Sequence, residues 1–176
     1  EVSTYTAVLA GAGNETTGRL IGWLGRLLGD HPDVRREVAA NRELLPAVVD
    51  EALRYEPTGA SIARFVTTDV ELHGATVPAG SAMLLVVAAA NRDPRRFRDP
   101  DRFDIHRPDP HLTFGHGLHF CLGASLARLE GRIALDEVLN RVTDWEVDDG
   151  AARRIYTSTM RGWATLPVQI TGRAGR

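Results

Sequence analysis

Residues 114 to 123 read Phe114-Gly115-His116-Gly117-Leu118-His119-Phe120-Cys121-Leu122-Gly123 and contain the one cysteine of the chain. Glycine tolerates positive φ and lets backbone amides come close to whatever a loop encloses. A run of this kind is suited to turning N–H groups on the sulfur and holding it as thiolate, the form that ligates metals. Phe114 and Phe120 are placed to keep water off it. Beyond the loop, Leu122, Leu126, Leu129, Ile133 and the run from Leu135 to Leu139 recur at three- and four-residue steps, which predicts a helix to about Val142. Cys121 therefore stands where loop becomes helix, and the positive end of the helix dipole favours an anion there.

A lone cysteine also has a plainer explanation, as a small buried core residue. A zinc site is a further reading, because His111, His116, His119 and Cys121 crowd together. Zinc ligands usually come in separated pairs, however, and this cluster has no distant half.

With 43% hydrophobic and 25% charged residues, the 176-residue chain has the composition of a folded globular protein. Its net charge of −2 gives no global basic field to recruit nucleic acid. All 21 basic residues are Arg, a compositional bias rather than a functional signal. One cysteine forbids an internal disulfide and agrees with a reducing compartment, so a cytoplasmic setting is expected. The longest apolar run, Ala82 to Ala90, is too short to span a membrane as a helix. The chain opens at Glu1 inside an apolar periodic stretch, and we expect it to be the later portion of a longer protein.

Residues 4 to about 28 read as one long helix with Val8, Leu9, Ala12, Leu20, Trp23, Leu24, Leu27 and Leu28 on its apolar face. Gly11 and Gly13 inside it each cost about 1 kcal/mol relative to alanine. A helix that accepts them usually needs close backbone approach or a kink. Thr16 can return its hydroxyl to the carbonyl of Ala12. The plain reading is tight packing through small residues, with Glu15 in solvent. Asp30-His31-Pro32-Asp33 ends this helix and starts a short polar one to residue 40. Pro46 opens a third, reaching about Tyr55, with Leu45, Val48, Val49, Ala52 and Leu53 inward. Glu51 and Arg54 on it would ordinarily form a surface pair worth about 0.2–0.5 kcal/mol.

From 61 to 87 the pattern becomes β-rich, cut by turns at His73-Gly74 and Pro78-Ala79-Gly80, which predicts a small antiparallel sheet. Arg64 within it reads as a strand residue facing water. Residues 91 to 110 are rich in Arg, Asp and Pro without apolar period, and in isolation read as disordered. Trp145 to Gly150 reads as a turn region, and Arg161 to Val168 as terminal strands.

The loop Phe114-Gly115-x-Gly117-x-His119-x-Cys121-x-Gly123 resembles, position for position, the cysteine loop of the cytochrome P450 family. The resemblance runs through nearly the whole chain, which would start about halfway along such a protein. It implies a mainly α fold with small antiparallel β-sheets, residues 1–176 forming the C-terminal part of a single domain. It makes Cys121 the thiolate ligand of the iron of haem b, where thiolate pushes electron density toward the metal. His119 would face a haem propionate and Arg64 would clamp one with its fork of donors. Phe114 and Gly123 would be cofactor-binding positions.

Ala12-Gly13-x-Glu15-Thr16-Thr17 looks like the family's oxygen groove. Gly13 then leaves room for dioxygen, Thr16 hydrogen-bonds the reduced oxygen, and Glu15 relays protons. Glu51-x-x-Arg54 resembles the family's Glu–Arg pair, completed by an arginine from the segment Asp99-Pro100-x-x-Phe103-x-x-x-Arg107. Arg107 matches best, with Arg102 a competitor. The loop from Thr58 to Ile62 would line the substrate pocket. Arg128 and Arg132 read as solvated charges, or as part of a basic patch for an acidic electron-transfer partner.

The implied reaction inserts one atom of O2 into a C–H bond of a small hydrophobic substrate. Electrons would come from NAD(P)H through a reductase and a ferredoxin-type iron–sulfur protein. Two other readings stand beside it: an incomplete or degenerate haem-binding fragment without turnover, and a peroxide-driven haem-thiolate enzyme. Members driven by peroxide often lack the acid–alcohol pair, so Glu15-Thr16 speaks against the latter. Steroid, fatty acid, terpene and polyketide substrates all remain open.

Overall fold

The computed structural model describes residues 1–155, 157, 159–173 and 175. Its long helix α1 (Val2–Asp30) stops just before Pro32, which occupies an early position of α2 (Pro32–Ala40) where its missing N–H costs nothing. The C-terminal half of α1 is buried through Leu20, Trp23, Leu24, Leu27 and Leu28. Residues 1–15 are exposed, so Val8 and Leu9, expected on the inward face, look outward. A 3-10 turn (Arg42–Leu44), started by Asn41 Oδ1 accepting from the N–H of Glu43 at 3.1 Å, leads into α3 (Leu45–Tyr55).

The core lies where α1, α3 and α5 (Ala124–Leu139) cross, with Leu135 and Leu139 of α5 meeting Leu20, Leu24, Val48, Val49 and Ala52. Gly131 allows that crossing: a Cβ there would lie 3.2 Å from Leu20 Cδ2 and 3.4 Å from Val49 Cγ1. The helix predicted after the cysteine loop is present, but its periodic stripe is not the inward one. Leu122, Leu126, Leu129 and Ile133 are exposed, while Ala124, Gly131, Leu135 and Leu139 face the core. The helix also ends at Leu139 rather than near Val142, which begins a strand.

In place of one small sheet, residues 62–85 form two antiparallel ribbons. β1 (Ile62–Phe65) pairs with β4 (Ala82–Leu85), opposing Arg64 to Met83. Between them β2 (Val70–Leu72) and β3 (Ala75–Val77) make a hairpin. Its turn residues His73 and Gly74 have φ of 50° and 81°, the left-handed pair that matches the twist of a two-residue hairpin. Val87, expected to end a strand, starts the short helix α4 (Val87–Ala90).

Trp145 is not in a turn. It lies in β5 (Val142–Val147), opposite Ile170 of β8 (Val168–Arg173), and its Nε1 donates to Gly25 O at 2.9 Å. The turn falls just beyond, where Ala151 and Ala152 donate to Asp148 O. β6 (Arg153–Arg154) and β7 (Trp163–Thr165) form the last ribbon. Residues 91–110 carry almost no regular structure yet are ordered on the body by buried Asn91, Phe97, Phe103 and Ile105.

Gly131→Val should cost about 1–3 kcal/mol by forcing branched bulk against Leu20 and Val49. Urea unfolding of the variant beside wild type measures this, and unchanged stability would show that the crossing has slack.

Candidate active site

Arg54 is 1% exposed and Glu51 4%. A guanidinium carries five N–H donors, and here all five are used. Nε and Nη2 meet the two carboxylate oxygens of Glu51 at 2.7 and 2.8 Å. Nη1 donates to Asn91 O and Pro100 O, both at 2.9 Å, and Nη2 also to Arg102 O at 3.0 Å. Glu51 Oε1 further accepts from the Asp104 N–H at 2.8 Å and from Arg107 Nε at 3.3 Å. Arg107, rather than Arg102, therefore brings its side chain to Glu51; Arg102 contributes its carbonyl, which accepts from Arg54 and Arg107.

Asn91, which sequence reasoning overlooked, is fully buried and ties this frame to the cysteine loop. Its side chain accepts from Leu112 N at 2.8 Å and donates to Thr113 Oγ1 at 2.9 Å. Thr113 in turn donates to Leu53 O of α3 at 2.7 Å. The only signal in sequence was an amide closing an apolar run.

Gly115 and Gly117 both take φ of 74°, a conformation that disfavours any residue with a Cβ. They fold the loop back so that the N–H of Cys121 donates to Phe114 O at 2.9 Å. That amide is thus committed to a carbonyl and not to the sulfur. Ala124 N donates to Cys121 O at 3.2 Å, seating the cysteine at the foot of α5. Cys121 is free and exposed. The two phenylalanines do not cover it, since Phe120 is itself 51% exposed, and neighbouring Leu118 and Leu122 stand outward as well. A buried core cysteine is excluded by the same exposure.

The histidines do not gather round the sulfur. His111 turns to Asp50, and among the described residues no three His, Cys, Asp or Glu side chains form a cluster able to hold a metal ion. His119 ends the 3-10 turn Gly117–His119. A Cβ on Gly115 would lie 3.9 Å from Ile62 Cδ1, so β1 runs beside the loop. Arg64 is two residues from Ile62 and shares its face of the strand. Its guanidinium is exposed, with Nη1 donating to Ala63 O at 2.9 Å.

On α1, Thr16 Oγ1 donates to Ala12 O at 2.8 Å, the back-bond expected of a threonine in a helix. Glu15 Oε1 accepts from Arg19 Nη2 at 2.6 Å, and Arg19 reaches on to Trp163 O at 3.2 Å. A Cβ on Gly13 would meet nothing within 4 Å. The close approach expected of the glycines is therefore absent among the described residues. No hydrogen bond or ion pair joins Glu15 or Thr16 to Cys121 among them either. The Thr58–Ile62 loop docks on the terminal segment: Arg161 N donates to Thr58 O at 2.8 Å, Ala60 N to Thr159 O at 3.2 Å. Arg161 Nη2 also holds Glu56 Oε2 at 2.7 Å.

A further cluster went unread in sequence. Asp50 Oδ1 accepts from Arg128 Nε at 2.7 Å and faces His111 Nε2 at 3.3 Å. Arg128 is therefore paired rather than a freely solvated charge. Burial alone would raise the Asp50 pKa, but the hydrogen bonds from His111 and Arg128 outweigh it and hold the carboxyl below its ordinary value.

A model of the Cytochrome P450 family matches residues 1–171. The putative cytochrome P450 123 of Mycobacterium tuberculosis is 39% identical over 175 residues, covering 98% of this chain and 44% of that one. The cytochrome P450 monooxygenase PikC of Streptomyces venezuelae is 43% identical over 166 residues, covering 92% and 40%. The solved structure of cytochrome P450 CYP109Q5 from Chondromyces apiculatus matches with a TM-score of 0.89 at 44% identity, over 94% of this chain and 43% of that one. The chain thus spans less than half the length of these relatives. No helix among the described residues is long and apolar enough to cross a membrane.

Removing one partner of the buried pair leaves the other uncompensated, so Arg54→Ala should cost about 3–5 kcal/mol in urea unfolding. Arg107→Ala should cost less, because Glu51 keeps Arg54 and the Asp104 N–H. Equal losses would contradict the hierarchy of this network. Asp50, with its folded pKa depressed, contributes stability above its unfolded pKa of about 3.9, lost as pH falls through the folded value. Asp50→Asn should accordingly flatten the acid limb of the stability–pH curve, and an unaltered limb would contradict the assignment.

Proposed function

The chain belongs to the cytochrome P450 family, and from that premise we propose that it is the ligand-bearing part of a haem-thiolate monooxygenase. The observation that carries the reading is Cys121, free and exposed on a loop that two left-handed glycines turn outward at the foot of α5. The residues present suit haem b. A sulfur is offered for iron, the Arg64 fork and the His119 imidazole for carboxylates, and Phe114, Leu118 and Phe120 for an apolar macrocycle. When bound, haem supplies the reductive activation of O2 and the insertion of one oxygen atom into a C–H bond, the thiolate favouring O–O cleavage.

The protein's own contribution is placement. The Phe114 carbonyl holds Cys121 by its N–H, while Glu51, Arg54 and Arg107 hold residues 91–107 against α3, to which Thr113 ties the start of the loop. Gly13 leaves space beside α1 for dioxygen. Thr16, once its hydroxyl leaves the Ala12 carbonyl, can donate to reduced oxygen, and Glu15 beside it can replace the proton. Arg19 fixes where that carboxylate rests. The Thr58–Ile62 loop, held by the terminal segment, forms one wall for a small hydrophobic substrate. Electrons arrive from NAD(P)H through a reductase and a ferredoxin-type iron–sulfur protein. The unpaired cysteine agrees with a cytoplasmic setting.

The exposure of residues 1–15 and of the Leu122–Ile133 stripe favours a second reading, in which these 176 residues alone bind haem weakly and turn nothing over. Two substitutions in the full-length protein test the first reading. Cys121→Ser should remove the thiolate absorption and all turnover. Thr16→Ala should keep haem yet lower product formed per NADH consumed. Unchanged coupling would leave Thr16 a helix residue only.

A further inference from the structure

The cluster around Asp50 is not part of the haem or oxygen chemistry set out above, yet it reaches the cysteine loop. His111 has a side chain only 4% exposed. Its Nδ1 accepts from the Thr113 N–H at 3.1 Å, which puts the ring proton on Nε2, facing Asp50 at 3.3 Å. The imidazole is thus a neutral bridge from α3 to the loop. Its ring lies 5.5 Å from the Phe114 ring, centroid to centroid. Arg128 of α5, held by the same Asp50 oxygen at 2.7 Å, sets its guanidinium 4.6 Å from the Phe114 centroid. Such a contact is attractive through the ring quadrupole. Phe114 also stacks edge-on with Phe120, at 6.3 Å. One carboxylate therefore orients two side chains that grip one ring, and the carbonyl of that ring's residue holds the N–H of Cys121.

We propose that Asp50 is a positioning residue for the sulfur: by holding His111 and Arg128 on the Phe114 ring, it fixes the backbone from which Cys121 presents itself. This rests on the haem-thiolate reading. The pose of the sulfur, and the hydrogen bonding of its loop, set how strongly it donates to iron, which the haem reduction potential reports.

The test compares three variants of the full-length, haem-loaded protein: Asp50→Asn, Arg128→Gln and His111→Gln. A field effect would move the potential in opposite directions for the first two, since one removes a negative and the other a positive charge, and would leave the neutral swap silent. Loss of the grip on Phe114 predicts instead a shift of the same sign in all three, with Asp50→Glu restoring the wild-type value. Opposite signs, or potentials unmoved while only thermal stability falls, overturn the proposal. Should one variant fail to take up haem, the remaining pair still decides, because His111→Gln moves the potential only if packing matters. A wild type without thiolate absorption would sink the haem reading and this proposal with it. A thiolate spectrum with unshifted variants sinks this proposal alone.

Discussion

A single buried cation fixes the order of the irregular stretch from residue 91 to 107. Arg54 has given up water entirely, and the cost of that is met because every one of its N–H groups has a partner. Two partners are the oxygens of Glu51, one turn away on α3. The other three are carbonyls of Asn91, Pro100 and Arg102, far along the chain. A buried charge without full pairing would be prohibitive. Residues 91–107 must therefore wrap in one way, whatever their own weak preferences. Arg107 and the Asp104 N–H close the wrap from outside.

From that frame the cysteine loop inherits its place. Asn91 passes the constraint to Leu112 and Thr113, and Thr113 returns it to Leu53 of α3. Gly115 and Gly117 then turn the chain outward, and α5 begins. The result is a division of labour. The α1–α3–α5 crossing is apolar and packed, while the loop that bears Cys121 is turned out with apolar neighbours. A sulfur so displayed suits a large apolar cofactor that carries its own metal, and not a metal ion held by gathered histidines.

Where apolar period alone decides, the sequence was readable. The helices α1, α2 and α3 fall within two or three residues of their expected bounds, and the hairpin turn at His73-Gly74 is where glycine put it. Period failed to say which side of an element faces the core. Leu122, Leu126, Leu129 and Ile133 form a proper helical stripe, yet Gly131 and Leu135 are what meet α1 and α3. Trp145 was misread because Asp148-Asp149-Gly150 is a strong turn signal, and it pulled the boundary back across a strand that pairs with distant β8. Residues 91–110 have no period because their order is set by hydrogen bonds to Arg54 and by single anchors such as Phe97 and Phe103. At the site, the resemblance to the family's motifs singled out Cys121, Glu51, Arg54 and Arg107. Asn91 and Asp50 left no mark of that kind, since their roles come from contacts made only after folding.

Every role proposed for the loop depends on whether the sulfur of Cys121 holds haem iron. The most direct measurement is the carbon monoxide difference spectrum of the reduced, full-length protein expressed with ample haem. A thiolate-type band is the predicted result. A histidine-type band from folded protein, or protein that emerges colourless, would contradict it.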